Sequence, residues 1–100
     1  DGEFAVLCLG VEGHNYANGN IVSIVSNNGV TWTKKSSKSN YNSTGNGTGL
    51  FQSCEVWYAK NQTGSTISND NITITYTGNF DDQTNVLVTF GGVDLTNPWA

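Results

Sequence analysis

Residues 21–35 read IVSIVSNNGVTWTKK. Two β-prone runs, 21–26 and 30–35, flank Asn27-Asn28-Gly29. Asn-Gly between such runs is the strongest short hairpin signal, because both residues tolerate positive φ. The stretch therefore predicts two adjacent antiparallel strands joined by a tight turn. Val30, Trp32 and Lys34 fall on one face of the second strand, and Thr31 and Thr33 on the other. Trp32, in phase with Val30, is expected in the core.

The same kind of run recurs on both sides of this stretch. Upstream, FAVLCLG at 4–10 is apolar at both parities, which predicts a central strand covered on both faces. EGHNYANGN at 12–20 reads as a loop. Downstream, the polar run at 36–49 is a long loop, and 50–60 is a long strand. There Cys54, Val56 and Tyr58 alternate against Ser53, Glu55 and Trp57. NITITYT at 71–77 alternates cleanly, with Ile72, Ile74 and Tyr76 inward. NVLVTF at 85–90 is a further strand, with Val86, Val88 and Phe90 in phase. No segment carries a helical period with caps. The expected fold is all-β: an antiparallel β-sandwich, immunoglobulin-like or jelly-roll, with about six to eight strands. Residues 1–100 form a single domain, expected to be incomplete at both ends.

Composition narrows the function. Asn, Thr, Ser and Gly make up 47 of the 100 residues, and only 12% are charged, about half the usual share. Net charge is −4, and four lysines are too few for a nucleic-acid footprint. No run approaches the roughly 18 apolar residues of a membrane span. Cys8 and Cys54 are the only cysteines, a pair that permits one disulfide. Closing a loop of that length stabilises a fold by about 4 kcal/mol. Four sequons begin at Asn42, Asn46, Asn61 and Asn71. Asn42 and Asn46 lie in the least apolar stretch and are expected to carry glycans first. Asn61, just after a strand, is expected to be accessible, and Asn71 opens a strand. Cysteine pair, sequons and low charge together place the chain outside the cell or at its surface.

Chemistry-bearing residues are few. His14, the sole histidine, sits in the loop beside Glu12, with no nucleophile motif near it. Asp70, Asp81, Asp82 and Asp94 lack calcium-loop spacing and read as turn formers. Glu55 and Asp94 are the pair a glycosidase would need, but no cleft is encoded between them. No catalytic residue, metal or cofactor is expected. Among the aromatics, Trp57 shares its phase with Ser53 and Glu55, which makes it the best exposed or inter-subunit tryptophan.

The order of short motifs carries a resemblance. Asn28-Gly-Val-Thr-Trp-Thr33, Gly47-Thr-Gly49, Val56-Trp-Tyr-Ala-Lys-Asn61, Ile72-Thr-Ile-Thr75 and Phe90-Gly-Gly-Val-Asp-Leu-Thr-Asn-Pro98 follow one another. This order is similar to that of a group of β-sandwich domains in secreted and surface proteins of bacteria and archaea. The resemblance covers about residues 5–98. It implies an immunoglobulin-like or jelly-roll sandwich without catalytic residues, usually a module of a larger extracellular protein. Leu95 replaces the group's usual threonine, and the cysteine pair is not a general feature of it.

The expected function is that of a glycosylated structural subunit in an archaeal pilus-like filament or surface layer. Its partners are copies of itself, forming a homopolymer through strand edges, or neighbouring surface domains. Both termini, and Trp99 with them, are expected to be buried at such contacts, because an exposed terminal tryptophan forgoes its apolar burial. The alternative is a carbohydrate-binding or adhesion module of a larger secreted protein, with glycans as ligands.

Overall fold

The computed structural model describes residues 2–14, 21–42, 50–61, 70–76 and 82–99. These residues form six strands: β1 (Gly2–His14), β2 (Ile21–Ser26), β3 (Trp32–Asn42), β4 (Leu50–Asn61), β5 (Ile72–Tyr76) and β6 (Asp82–Val93). They form a four-stranded sheet in the order β3-β4-β1-β6 and a two-stranded sheet, β2-β5. Every pairing is antiparallel. The chain is thus all-β, as its alternating runs predict, and its two sheets pack as a sandwich. The partners nest, β1 with β6, β2 with β5 and β3 with β4. A two-stranded ribbon folded back and forth between layers gives this nesting, the winding principle of jelly rolls.

The expected hairpin at residues 21–35 is not formed. β2 and β3 lie in different sheets. The turn sits one residue earlier than a two-residue Asn-Gly hairpin requires. Gly29 N–H donates to the Ser26 carbonyl at 3.1 Å, which centres the turn on Asn27 and Asn28 and leaves Gly29 last. Asp70 Oδ1 accepts the Asn28 N–H at 3.1 Å, and Asn27 N–H donates to the Asn71 carbonyl at 3.1 Å. These bonds tie the turn to the start of β5. Gly29, at φ +76°, then redirects the chain to the other layer. The hairpin in this part of the chain is β3–β4. Residues 36–42, expected as loop, continue β3 and pair with β4 as far as Asn42 opposite Leu50. His14, also expected in a loop, ends β1 opposite Leu50.

The core lies between the sheets. Ala5, Leu7 and Leu9 of β1, Trp32 of β3 and Ala59 of β4 are buried there. Ile24, Ile72, Ile74 and Tyr76 of the small sheet pack against them, with Val30 and Trp57. β5 turns Ile72, Ile74 and Tyr76 inward and Thr73 and Thr75 outward, as its period predicts. β1 departs from expectation. It is central, between β4 and β6, but only its odd-numbered face is covered. Phe4 is buried on the other face, whereas Cys8 on that face is exposed.

Candidate interaction surface

Register places the outer face of the large sheet. Val6 lies between Tyr58 and Val88, and Cys8 between Val56 and Val86. These side chains point away from the core in a contiguous apolar field. Val86, Val88 and Phe90 are 52%, 45% and 46% exposed. The apolar phase of β6 noted in the sequence is therefore the open face, not the buried one. Leu87, on the opposite face of β6, is 42% exposed as well, so β6 is open on both sides. The cause is the narrowness of the second sheet. β2 lies toward β3, and β5 reaches β6 through Tyr76, whose hydroxyl donates to Asn85 Oδ1 at 3.5 Å. Beyond Tyr76, no described strand covers the inner face of β6.

Trp99 folds back onto this outer face. It meets Phe4 edge-on at 5.0 Å between ring centroids and Tyr58 at 5.4 Å. Lys35 Nζ lies 5.1 Å from its ring centroid, within cation–π range. The segment leading to it is anchored by Leu95, which is buried and whose carbonyl accepts from Lys60 Nζ at 2.8 Å. Leu95 packs where a side chain on residue 2 would stand, since a Cβ on Gly2 would also fall 2.6 Å from the Asn61 carbonyl oxygen. Trp99 thus finds partners inside its own chain and remains 44% exposed.

Trp57 is on the opposite face from the one its surface assignment requires. It faces inward with Ser53, Glu55 and Ala59, half-buried against the core. Lys34 Nζ stands 5.3 Å from its ring centroid and 2.5 Å from Glu55 Oε1. Glu55 is 2% exposed. Burial, and then the charge of Glu55, raise the Tyr76 hydroxyl above its ordinary pKa. A buried carboxylate is tolerated when it is paired, and Lys34 supplies the pair. Sequence reading placed Lys34 in phase with Trp32, and Glu55 with Trp57. Opposite charges in phase with aromatics on two neighbouring strands were the available signal for this ion pair.

The cysteines are not joined. Both are free and exposed, where a disulfide was expected. Cys8 stands opposite Val56 and Cys54 opposite Gly10, one diagonal step apart on the outer face. Diagonal neighbours are roughly 7–8 Å apart, and a disulfide needs Cα atoms usually within about 6.8 Å. Among the sequons, Asn61 is buried at 8% exposure, against the expectation that it is accessible. Its place opposite Glu3, beside the Leu95 anchor, explains this. Asn71 is exposed. Asn42 ends β3, and Asn46 lies outside the described residues. Asp70 serves the turn described above, and Asp94 Oδ1 accepts the Thr96 N–H at 2.8 Å. Asp82, expected in a loop, opens β6 opposite Glu12. Asp81 lies outside the described residues.

No described helix is long and apolar enough to cross a membrane. No family model, curated protein or solved structure matches the chain.

Proposed function

We propose that this chain is a structural subunit of an extracellular, glycosylated filament or surface layer, built from copies of itself through strand-edge contacts. One observation carries the reading: among the described residues β6 is an edge strand open on both faces, and its one irregularity against β1 is the bulge between Phe90 and Val93 at its end. From Gln83 to Val93 it has no charged residue and no proline. Natural edges are normally blunted along their length by lysine, proline or bulges, because unpaired N–H and C=O groups invite another strand, and from Asp82 to Phe90 the β6 register against β1 is unbroken. Here the half-open sandwich also offers Leu87 and the edge of β5 that no described strand pairs. A strand from a neighbouring copy, added beside β5, would cover Leu87 and extend the short sheet. The exposed sequon at Asn71 and the low charge support an extracellular setting.

The adhesion-module reading has less support. A sugar platform needs flat, accessible rings, and Tyr58 and Trp99 stand at 86° to each other. Electron microscopy and light scattering of the native material test the choice. Polymers, or a mass many times 10.7 kDa, support the assembly. A persistent monomer that binds an immobilised glycan would replace it with the adhesion module.

A further inference from the structure

We infer that the outer face of the four-stranded sheet docks on the same face of a second copy, forming a two-fold, face-to-face dimer. This contact is separate from the strand edges. It rests on the proposed assembly only for its setting.

Size favours such a partner. Four strands about 4.8 Å apart and about 35 Å long present on the order of 650 Å² in projection. A standard interface buries about 800 Å² per partner, so one face can supply most of it. The centre of the face is apolar, with Val6 and Cys8 of β1 beside Val56 and Tyr58 of β4, and along the β6 edge Val86, Val88 and Phe90 are half open to water. Isolated surface leucines and valines need no explanation, but a contiguous field of this kind marks an interaction site.

Charge selects a second copy and its orientation. The register sets Lys38 beside Cys54 on the outer face, and Lys60 beside Phe4. Lys35 reaches the outer face at Trp99. These cations are all on the β3–β4 side. The acids of the face, Glu12 and Asp82, pair with each other across β1 and β6. A two-fold axis in the plane of the face and parallel to the strands exchanges the two sides, laying β6 of each copy over β3 of the other and β1 over β4. It lays the acids of each copy toward the lysines of the other and stacks apolar centre on apolar centre. Like charges held opposite one another, as Glu12 and Asp82 are, gain most from such a neighbour. The interface is isologous, so it closes on two copies. Growth into a polymer would then come from the strand edges.

Cys8 and Cys54 lie on this face and report on it without any added probe. The test is sedimentation equilibrium of the full chain over a dilution series, with thiol alkylation rates measured in parallel. The expected result is a monomer–dimer equilibrium, with Cys8 protected as the dimer forms. Val88→Lys should weaken the pair by about a hundredfold, because it desolvates an unpaired charge. Val88 is on the surface, so the variant should fold, which circular dichroism verifies. Asp82→Lys should weaken the pair, and adding Lys38→Glu should restore it. A chain that stays monomeric with both thiols reactive at every concentration overturns the inference. So does a dimer indifferent to Val88→Lys, or uptake of glycan or phospholipid vesicles by this face in place of a second copy. Strand-edge polymers that persist in Val88→Lys would leave the proposed function standing without affecting this test. Dimers that never polymerise would support the inference while removing the filament.

Discussion

β1 and β6 are neighbours in one sheet and read alike in sequence, yet they live in different surroundings. Leu7 and Leu87 stand directly opposite each other on the inner face. Leu7 is 3% exposed and Leu87 is 42% exposed. One strand spacing, about 4.8 Å, separates a core position from an open one. The difference lies in what is above them. β2 and β5 roof the β3–β4–β1 part of the sheet, and the roof ends at Tyr76. Apolar periodicity specifies a face. Whether that face is covered depends on how many strands the opposing sheet contributes.

Truncation of the two leucines gives the sharpest test of this contrast. Leu7→Ala should cost about 2–5 kcal/mol in unfolding by denaturant, as core truncations do. Leu87→Ala, measured in dilute solution, should cost less than about 1.5 kcal/mol, since much of its surface already meets water. Equal losses would mean that β6 is covered in the folded monomer, and the contrast would collapse. In the assembled material Leu87→Ala should weaken association as well, because a docked strand would bury it.

The ion pair under the roof should give the next largest effect. Lys34→Met leaves Glu55 buried without its cation, at a cost of roughly 2–4 kcal/mol. The cost falls toward the lower end because Lys34 is itself 40% exposed. A double variant, Lys34→Met with Glu55→Leu, should recover most of the loss. On the open face, Lys38→Met should change stability by less than about 0.5 kcal/mol in the monomer. Denaturant midpoints of the three variants, set against the wild type, measure the difference between a roofed charge and an open one.

How far the sequence revealed this structure depended on which property was asked of it. Strand existence was legible, because Thr, Ile, Val and aromatic residues alternate and Asn and Gly punctuate them. Ile72, Ile74 and Tyr76 fall inward as their period dictates, and Trp32 is buried as its phase with Val30 implies. Partner choice was not legible. Asn28-Gly29 suits a two-residue hairpin, but Asp70, distant in sequence, captures the Asn28 N–H and holds a different turn. Coverage was not legible either. Val86, Val88 and Phe90 have the pattern of a buried strand, and nothing local records that the face above them is open. Trp57 and Cys54 follow the same rule, since each parity of β4 carries both polar and apolar residues, and so does Cys8, since β1 is apolar at both parities; in neither strand does periodicity say which face is inside.

A smaller effect tests the turn that sends the chain from one layer to the other. Gly29 has φ +76°, and a Cβ there would meet nothing within 4 Å. Gly29→Ala should therefore cost about 1 kcal/mol from backbone conformation alone, with no steric contribution. Gly91→Ala makes the control, since its surroundings are also open but its φ is not positive. Comparable losses at both sites, read from thermal unfolding, would remove the special role of the Gly29 turn in positioning the roof.

The smallest effect concerns the last residue of the roof. Tyr76 reaches Asn85 at the limit of hydrogen-bond distance, so Tyr76→Phe should change stability at neutral pH by less than about 1 kcal/mol. Its pH dependence is more informative. Burial first, and Glu55 second, raise the Tyr76 pKa above 10.0 in the fold. Between the unfolded and folded values, the unfolded chain has lost the phenolic proton while the folded chain keeps it. Stability associated with Tyr76 is therefore fully present below about pH 10 and is lost as pH rises through the folded pKa. Wild-type protein should show this alkaline decline, and Tyr76→Phe should show less of it. The other tyrosines contribute equally to both proteins and cancel in the comparison. Identical alkaline profiles would mean that Tyr76 is solvated in both states, and the boundary between the roofed and open halves would then lie nearer β1.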